Sequence, residues 1–220
     1  MEKLLYPLWK APSLSGDEFR DELLLQLAPK LTGIEGVHGL RICVVDSAVS
    51  AAAGRRIESH APVPDAMLSL WVDFAGAAGH WEPLIDAHVR TKTVYLVAEA
   101  EPLVSQQTHP SMPGERLYGV CQVVFMSPPD DMDRDKWLSN WKDSHTQVAI
   151  DTQSTFGYRQ NLVVRRMTAD TPGCFAVVEE NFPPEAMASD HASYAGLCYT
   201  SEAADDLTRL ILARAADFSY

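Results

Sequence analysis

Trp137, Trp141 and His145 follow one another at intervals of four residues. That spacing puts side chains one above another on a helix face. Two indoles and an imidazole make a wall that is apolar along most of its length and can move a proton at one end. Such a wall suits the lining of a small-molecule pocket, and Val148 and Thr152 would extend it. An imidazole with a pKa near 6.5 takes or gives a proton at working pH, so His145 is a candidate general acid or base. The alternative is a core histidine held by one hydrogen bond.

Downstream, Phe156–Arg166 reads as a strand, with Tyr158 and Gln160 on one face and Arg159 and Asn161 on the other. A phenol at 158 can polarise a carbonyl or donate a proton, and an amide at 161 can hold an oxyanion. A regular strand points Tyr158 and Asn161 to opposite faces, so one site does not use both. Glu179 and Glu180 sit on a strand otherwise rich in Val and Ala, and one of them must point inward. A buried carboxylate is a candidate base or a partner for His145. Arg41, Arg159 and Arg165 could each grip a substrate carboxylate through two hydrogen bonds, or serve in salt bridges. Tyr6, Trp9, Trp71 and Tyr95 add aromatic surface that would suit a flat ligand or fill a core.

Several motifs fail on inspection. Asp131, Asp133 and Asp135 open like a calcium loop, but Lys136 and Lys142 stand where Gly and Glu are needed. Gly33, Gly36 and Gly39 follow a helix rather than a strand, which is wrong for a dinucleotide fingerprint. There is no Gly-x-Ser-x-Gly nucleophile elbow and no His-Glu-x-x-His. No metal is expected, and no cofactor, although His145 could ligate a haem. Cys43, Cys121, Cys174 and Cys198 lack paired spacing and read as buried reduced thiols.

The elements that would position these groups repeat. The first half reads strand, helix, strand, strand, helix, strand. Leu4–Trp9 is followed by a helix that Ser15 and Glu18 open with a capping box and that ends near Leu31. Strands are expected over Val37–Asp46, Met67–Phe74 and Thr93–Ala100, a long loop over Ala51–Asp65 and a short helix over Trp81–His88. Residues 105–116, with Pro110, Pro113 and Gly114, read as a linker. The pattern then restarts: strand Leu117–Met126, an Asp133-capped helix to about Asp151, strands Phe156–Arg166 and Gly173–Asn181, and a helix from about Glu202 to Ala216. Tyr194–Thr200 fits a strand or an extended loop. The stripe Phe19, Leu23, Leu27, Leu31 matches Trp137, Trp141, His145, Ala149 at an offset of about 118 residues, the mark of an internal duplication. Each βαββαβ unit is ferredoxin-like, with helices on one sheet face. Strands apolar on both sides need a cover on the other face. The expected architecture is therefore α+β: repeat 1 over 1–104 and repeat 2 over 117–220, packed sheet to sheet as a barrel with a cavity between them.

Trp141-Lys-Asp-Ser-His145, followed by Phe156-Gly-Tyr158-Arg-Gln-Asn161, resembles the EthD family of dimeric α+β barrel proteins. The match covers roughly 117–182, and the first half looks like a degenerate copy. The resemblance implies two ferredoxin-like units fused into one pseudo-dimeric barrel, in a group met in catabolic pathways. Related barrels include isomerases, cyclases, lyases, cofactor-free monooxygenases and haem enzymes, so the fold does not fix the reaction. Leu27 stands where His145 would be, which implies one active cavity, in the second half.

Composition narrows the partners. The chain has 220 residues, 46% hydrophobic and 22% charged, with 30 acidic against 18 basic side chains and a net charge of −12. Nucleic acid and anionic membranes are poor partners for such a surface. Its start lacks a signal-peptide pattern, so a cytoplasmic protein is expected, and a homodimer is the common oligomer. Two functions fit. One is a cofactor-independent lyase, decarboxylase, isomerase or cyclase acting on a small aromatic or polyketide-like molecule. His145 and Tyr158 would be its catalytic groups, with Trp137, Trp141, Asn161, Arg41, Glu180, Tyr6 and Trp9 around the substrate. The other is a non-catalytic protein that sequesters a hydrophobic metabolite in the same cavity.

Overall fold

A computed structural model of the chain describes residues 1–55, 63–169 and 171–188, together with the backbone of 208–217. Repeat 1 supplies β1 (Glu2–Trp9), β2 (Val37–Val44), β3 (Ala66–Val72), the two-residue β4 (Thr91–Lys92) and β5 (Tyr95–Leu103). Repeat 2 supplies β6 (Val120–Met126), β7 (Gly157–Arg166), β8 (Ala176–Phe182) and β9 (Thr208–Asp217). Strand order within the repeats is β2-β3-β1-β5 and β7-β8-β6-β9, and all pairings are antiparallel. The outer strands then pair across repeats, β2 with β9 and β5 with β7. The eight long strands thus close into one barrel and leave no edge open, which removes the hazard of unpaired backbone groups.

Closure corrects one expectation. The segment read as a helix ending near Ala216 is a strand over Thr208–Asp217. Leu207, Leu210 and Ile211 fit either period in so short an apolar run, and β2 and β6 each offer this segment a row of backbone partners. The repeats join strand to strand at their edges, which closes the expected pseudo-dimeric barrel. The lumen is packed with side chains: Leu5, Cys43, Met67, Tyr95, Val123 and Val177 fill one half. Charged groups described below fill the other. Within Ala51–Asp65, expected as a loop, Ser47–Arg55 forms a 3₁₀ stretch that enters it. Tyr194–Thr200 and Cys198 lie outside the described residues.

Each repeat lays one long helix on the outside of the barrel. In repeat 1 it runs through α1 (Gly16–Glu22), a π-helical turn (Leu23–Leu27) and α2 (Ala28–Thr32). Ser15 and Glu18 form the expected capping box, at 3.2 and 2.7 Å. Pro29 lacks an amide hydrogen, so the ordinary bond to residue 25 cannot form where the turn widens. Repeat 2 repeats the device with α4 (Arg134–Ser139), a π-turn (Asn140–His145) and α5 (Thr146–Thr152), capped by Asp133. The two π-turns are 118 residues apart at their closing bonds, from Ala28 to Leu23 and from Thr146 to Trp141. A short α3 (Glu82–Asp86) completes repeat 1.

Candidate active site in the second repeat

The strand registers superimpose the repeats residue by residue. In repeat 2, Gln122 faces Glu180, which faces Tyr158. In repeat 1 the same row is Leu4, Leu70 and Leu40. The next row is Val124, Val178 and Gln160 against Tyr6, Leu68 and Ile42. All of these side chains point outward, beneath the helices. Beneath the repeat 1 helix, Leu4, Leu40, Leu68 and Leu70 pack with Phe19, Leu23 and Leu27 into a dry core. Each such side chain contributes about 1.5–3 kcal/mol by burial. Repeat 2 gives up part of that stabilisation by placing Gln122, Glu180, Tyr158 and Gln160 at the matching positions. A buried polar group is costly unless hydrogen-bonded.

The bonds are made. Trp141 Nε1 donates to the Tyr158 hydroxyl at 3.2 Å. Gln160 donates to Thr146 Oγ1 at 2.7 Å, and Thr146 donates to the Trp141 carbonyl at 2.7 Å. Gln122 donates to Glu180 at 3.0 Å. The π-turn explains part of this arrangement. By inserting a residue into the helical repeat, it brings Thr146, five after Trp141, against the sheet. Trp141, Thr146 and Ala149 are buried, whereas His145 and Val148 are exposed. The inward stripe therefore continues through Thr146 and Ala149, not through His145, Val148 and Thr152. Trp137 packs against Trp141 with tilted rings at 5.4 Å and meets Phe175 edge-on at 5.2 Å, which extends the aromatic wall toward the N-terminus of the helix.

Two titrations are set by these surroundings. Burial, reinforced by the neighbouring Glu180 charge, pushes the Tyr158 phenol well above its ordinary value. It therefore stays protonated and offers a hydrogen. His145 reaches solvent and has no hydrogen-bond partner among the described residues. The protein packed around it still disfavours the imidazolium and lowers its pKa. A neutral imidazole and a protonated phenol complement each other as proton acceptor and hydrogen-bond donor.

The remaining sequence candidates lie elsewhere. Tyr6 belongs to the repeat 1 helix–sheet core, where its hydroxyl accepts from Trp81 at 2.8 Å and donates to Glu82 at 3.0 Å. Trp9 is buried at the far end of β1 beside Thr91. Arg41 and Asn161 are in the lumen. Asn161 is committed to Lys3 at 2.7 Å, Glu179 at 3.1 Å and the Val177 carbonyl at 3.0 Å. Lys3 also binds Glu179 at 2.9 Å and pairs with Glu99, while Arg159 pairs with Glu99 and Glu101 at 3.2 and 2.6 Å. Trp71 takes the Lys3 and Arg41 cations on its ring at 4.7 and 5.7 Å. The structure thus brings together Trp137, Trp141, Tyr158 and Glu180, places His145 on the exposed side of the same helix, and separates all of them from Tyr6, Trp9, Arg41 and Asn161. Sequence reasoning missed Gln122 and Thr146. The signal for Gln122 was a lone amide inside Val-Cys-Gln-Val-Val-Phe. Among the described residues no cluster of His, Cys, Asp or Glu could hold a metal ion, and no helix is long and apolar enough to cross a membrane.

No protein-family model and no curated protein matches the chain. Solved structures do. An anthrone oxidase-like protein superimposes with a TM-score of 0.58 at 12% identity, covering 98% of this chain and 91% of its own. A Fusobacterium nucleatum protein described as a monooxygenase gives 0.57 at 9% identity, covering 99% and 93%. A chlorite dismutase-like protein gives 0.50 at 12%, covering 97% and 95%. At such identities the likeness carries the architecture and not the reaction. The chain has the dimeric α+β barrel fold, with both halves of the barrel in a single polypeptide.

Proposed function

We propose that repeat 2 houses a cofactor-independent acid/base site acting on a small aromatic or polyketide-like carbon acid. The observation that carries this reading is the Gln122–Glu180–Tyr158 row under Trp141, where the equivalent row of repeat 1 is three leucines. A stable barrel needs only the leucines, so the polar row answers to something other than packing. In the proposed step a ring nitrogen of His145 takes a proton from the substrate carbon next to a carbonyl. The electron pair of the broken C–H bond moves onto the carbonyl oxygen, and the Tyr158 hydroxyl, held by Trp141, stabilises that oxyanion. Trp137 and Trp141 offer ring faces to a flat substrate. The enolate then reprotonates elsewhere, expels a leaving group from the neighbouring carbon or attacks a second carbonyl to close a ring, which gives isomerase, lyase or cyclase outcomes; in a decarboxylase the same enolate forms by loss of CO2 and takes its proton from the His145 imidazolium. An anthrone is such a carbon acid. Trapping of the same carbanion by dioxygen is the outcome to which the names of two structural neighbours point.

A thermal-shift panel of anthrones, aromatic acids, phenols and polyketide-like lactones on wild type and His145→Ala tests the reading, because ligand binding raises the melting temperature by mass action. The expected result is a ligand class that stabilises both proteins and is turned over only when His145 is present. Ligands that bind but undergo no His145-dependent change would instead make the protein a carrier of the same metabolites. No stabilisation by any compound would remove the pocket from the account.

A further inference from the structure

At the other end of the repeat 2 helix the surface holds an open cleft of about 470 Å³. Val163, Val164, Cys174 and Phe175 give it apolar lining, and Arg134, Arg165 and Arg166 line it as well. Among the described residues no carboxylate lines it. This is unusual in a chain with 30 acidic and 18 basic side chains. Elsewhere Lys3, Arg20, Lys92 and Arg159 each hold a carboxylate. In the cleft, Arg134 lies over the Phe175 ring at 4.0 Å, and Arg166 donates to the Thr171 carbonyl at 3.3 Å. Arg134 and Arg165 make no ion pair or hydrogen bond among the described residues. At the β5–β7 bulge between Leu96 and Val97, Arg166 stands opposite Tyr95 and Arg165 opposite Leu96.

We propose that this cleft is a second ligand site, which takes a small organic anion with a phosphate or carboxylate group on an apolar or aromatic body. The guanidinium forks match the geometry of either oxyanion, and Phe175 with Val163 and Val164 would receive the apolar part. Arg134 and His145 are eleven residues apart, or about 16 Å along a helix. The cleft adjoins the aromatic wall of the proposed acid/base site through the Phe175–Trp137 contact at 5.2 Å, while Arg134 lies at the far end of the helix from His145.

Isothermal titration at low salt with phenyl phosphate, benzoate and inorganic phosphate tests the proposal on wild type, Arg134→Gln, Arg165→Gln and His145→Ala. Phenyl phosphate or benzoate should bind one per chain and more tightly than inorganic phosphate. Whichever of the two binds better assigns the anionic group. Each arginine substitution should weaken binding about tenfold, the loss expected for one hydrogen bond to a charged group. Added salt should weaken it further. His145→Ala should bind as wild type does. Absence of binding below about 10 mM for all three probes, or equal binding by wild type and both arginine variants, would overturn the proposal.

Discussion

Replacing Lys3 by methionine tests whether the polar half of the barrel lumen is a coupled ion network. The Lys3 ammonium is almost wholly buried and holds Glu179, Glu99 and Asn161. Glu179 is equally buried, and one of its oxygens, Oε1, already lacks a hydrogen-bond partner. Methionine keeps the length and apolar stem of lysine but leaves that carboxylate without its nearest cation. Breaking a buried pair from one side costs about 3–5 kcal/mol, because the abandoned charge remains buried. Stability would be read from urea unfolding monitored by tryptophan fluorescence. The pH dependence is specific. In the wild type the Lys3 and Arg41 charges outweigh burial and hold the Glu179 carboxyl below its ordinary range. Its contribution is therefore complete above the unfolded value of about 4.3 and is lost as pH falls through the folded pKa. Removing Lys3 raises the folded pKa. The deficit of the variant should then be largest at neutral pH and shrink as acid protonates Glu179. Glu179→Gln in the Lys3→Met background should recover part of the loss at pH 7. As a control, His38→Gln, which breaks the exposed pair with Asp73, should cost at most about 1 kcal/mol. A Lys3→Met protein within about 0.5 kcal/mol of wild type, or a deficit independent of pH, would refute the reasoning.

Other consequences are more local. Tyr158→Phe leaves the Trp141 indole N–H without its acceptor and should cost about 1–3 kcal/mol of stability, together with most of any turnover, as measured by thermal unfolding and by assay. Gly157→Ala should lower the melting temperature by more than a surface change would. The new Cβ would lie 2.5 Å from Asn181 Oδ1 and 2.7 Å from Ser105 Cβ, both held by buried backbone, and such overpacking costs about 1–3 kcal/mol. Burial lowers the His145 pKa, so the basic form should persist below the ordinary histidine range. Turnover against pH should then show an acid limb with its midpoint below about 6.5, and that limb should vanish in His145→Ala.

Much of this structure is written locally. The Ser15 capping box and the Asp133 cap are fixed by side chains within three residues of the backbone they bind. The opposite facing of Tyr158 and Asn161 follows from strand period alone. Glu179 and Glu180 divide as that period requires, one into the lumen and one beneath the helix. The duplication was legible from the helix stripes. What escaped was decided by distant partners. β9 is a strand because β2 and β6, far apart in the chain, both need pairing. Lys3 gives no sign in its neighbourhood that Glu99 and Glu179 await it across the barrel. Tyr6 looked available for a ligand because periodicity reports which face it shares and not that Trp81 covers that face. The π-turn shifted His145 out of its stripe, since an inserted helical residue leaves no mark in residue type.

The most direct test of the acid/base account is hydrogen exchange at the acidic carbon of a ligand taken from the thermal-shift panel, followed by proton NMR in deuterium oxide. This readout needs no knowledge of the later steps of the reaction. The account predicts that wild-type protein accelerates loss of the carbon-bound proton, that His145→Ala abolishes the acceleration, and that Tyr158→Phe reduces it by about 10²-fold, as expected for loss of an oxyanion donor. A ligand that binds beside Trp141 while exchanging at the uncatalysed rate, or at the same rate with all three proteins, would contradict it.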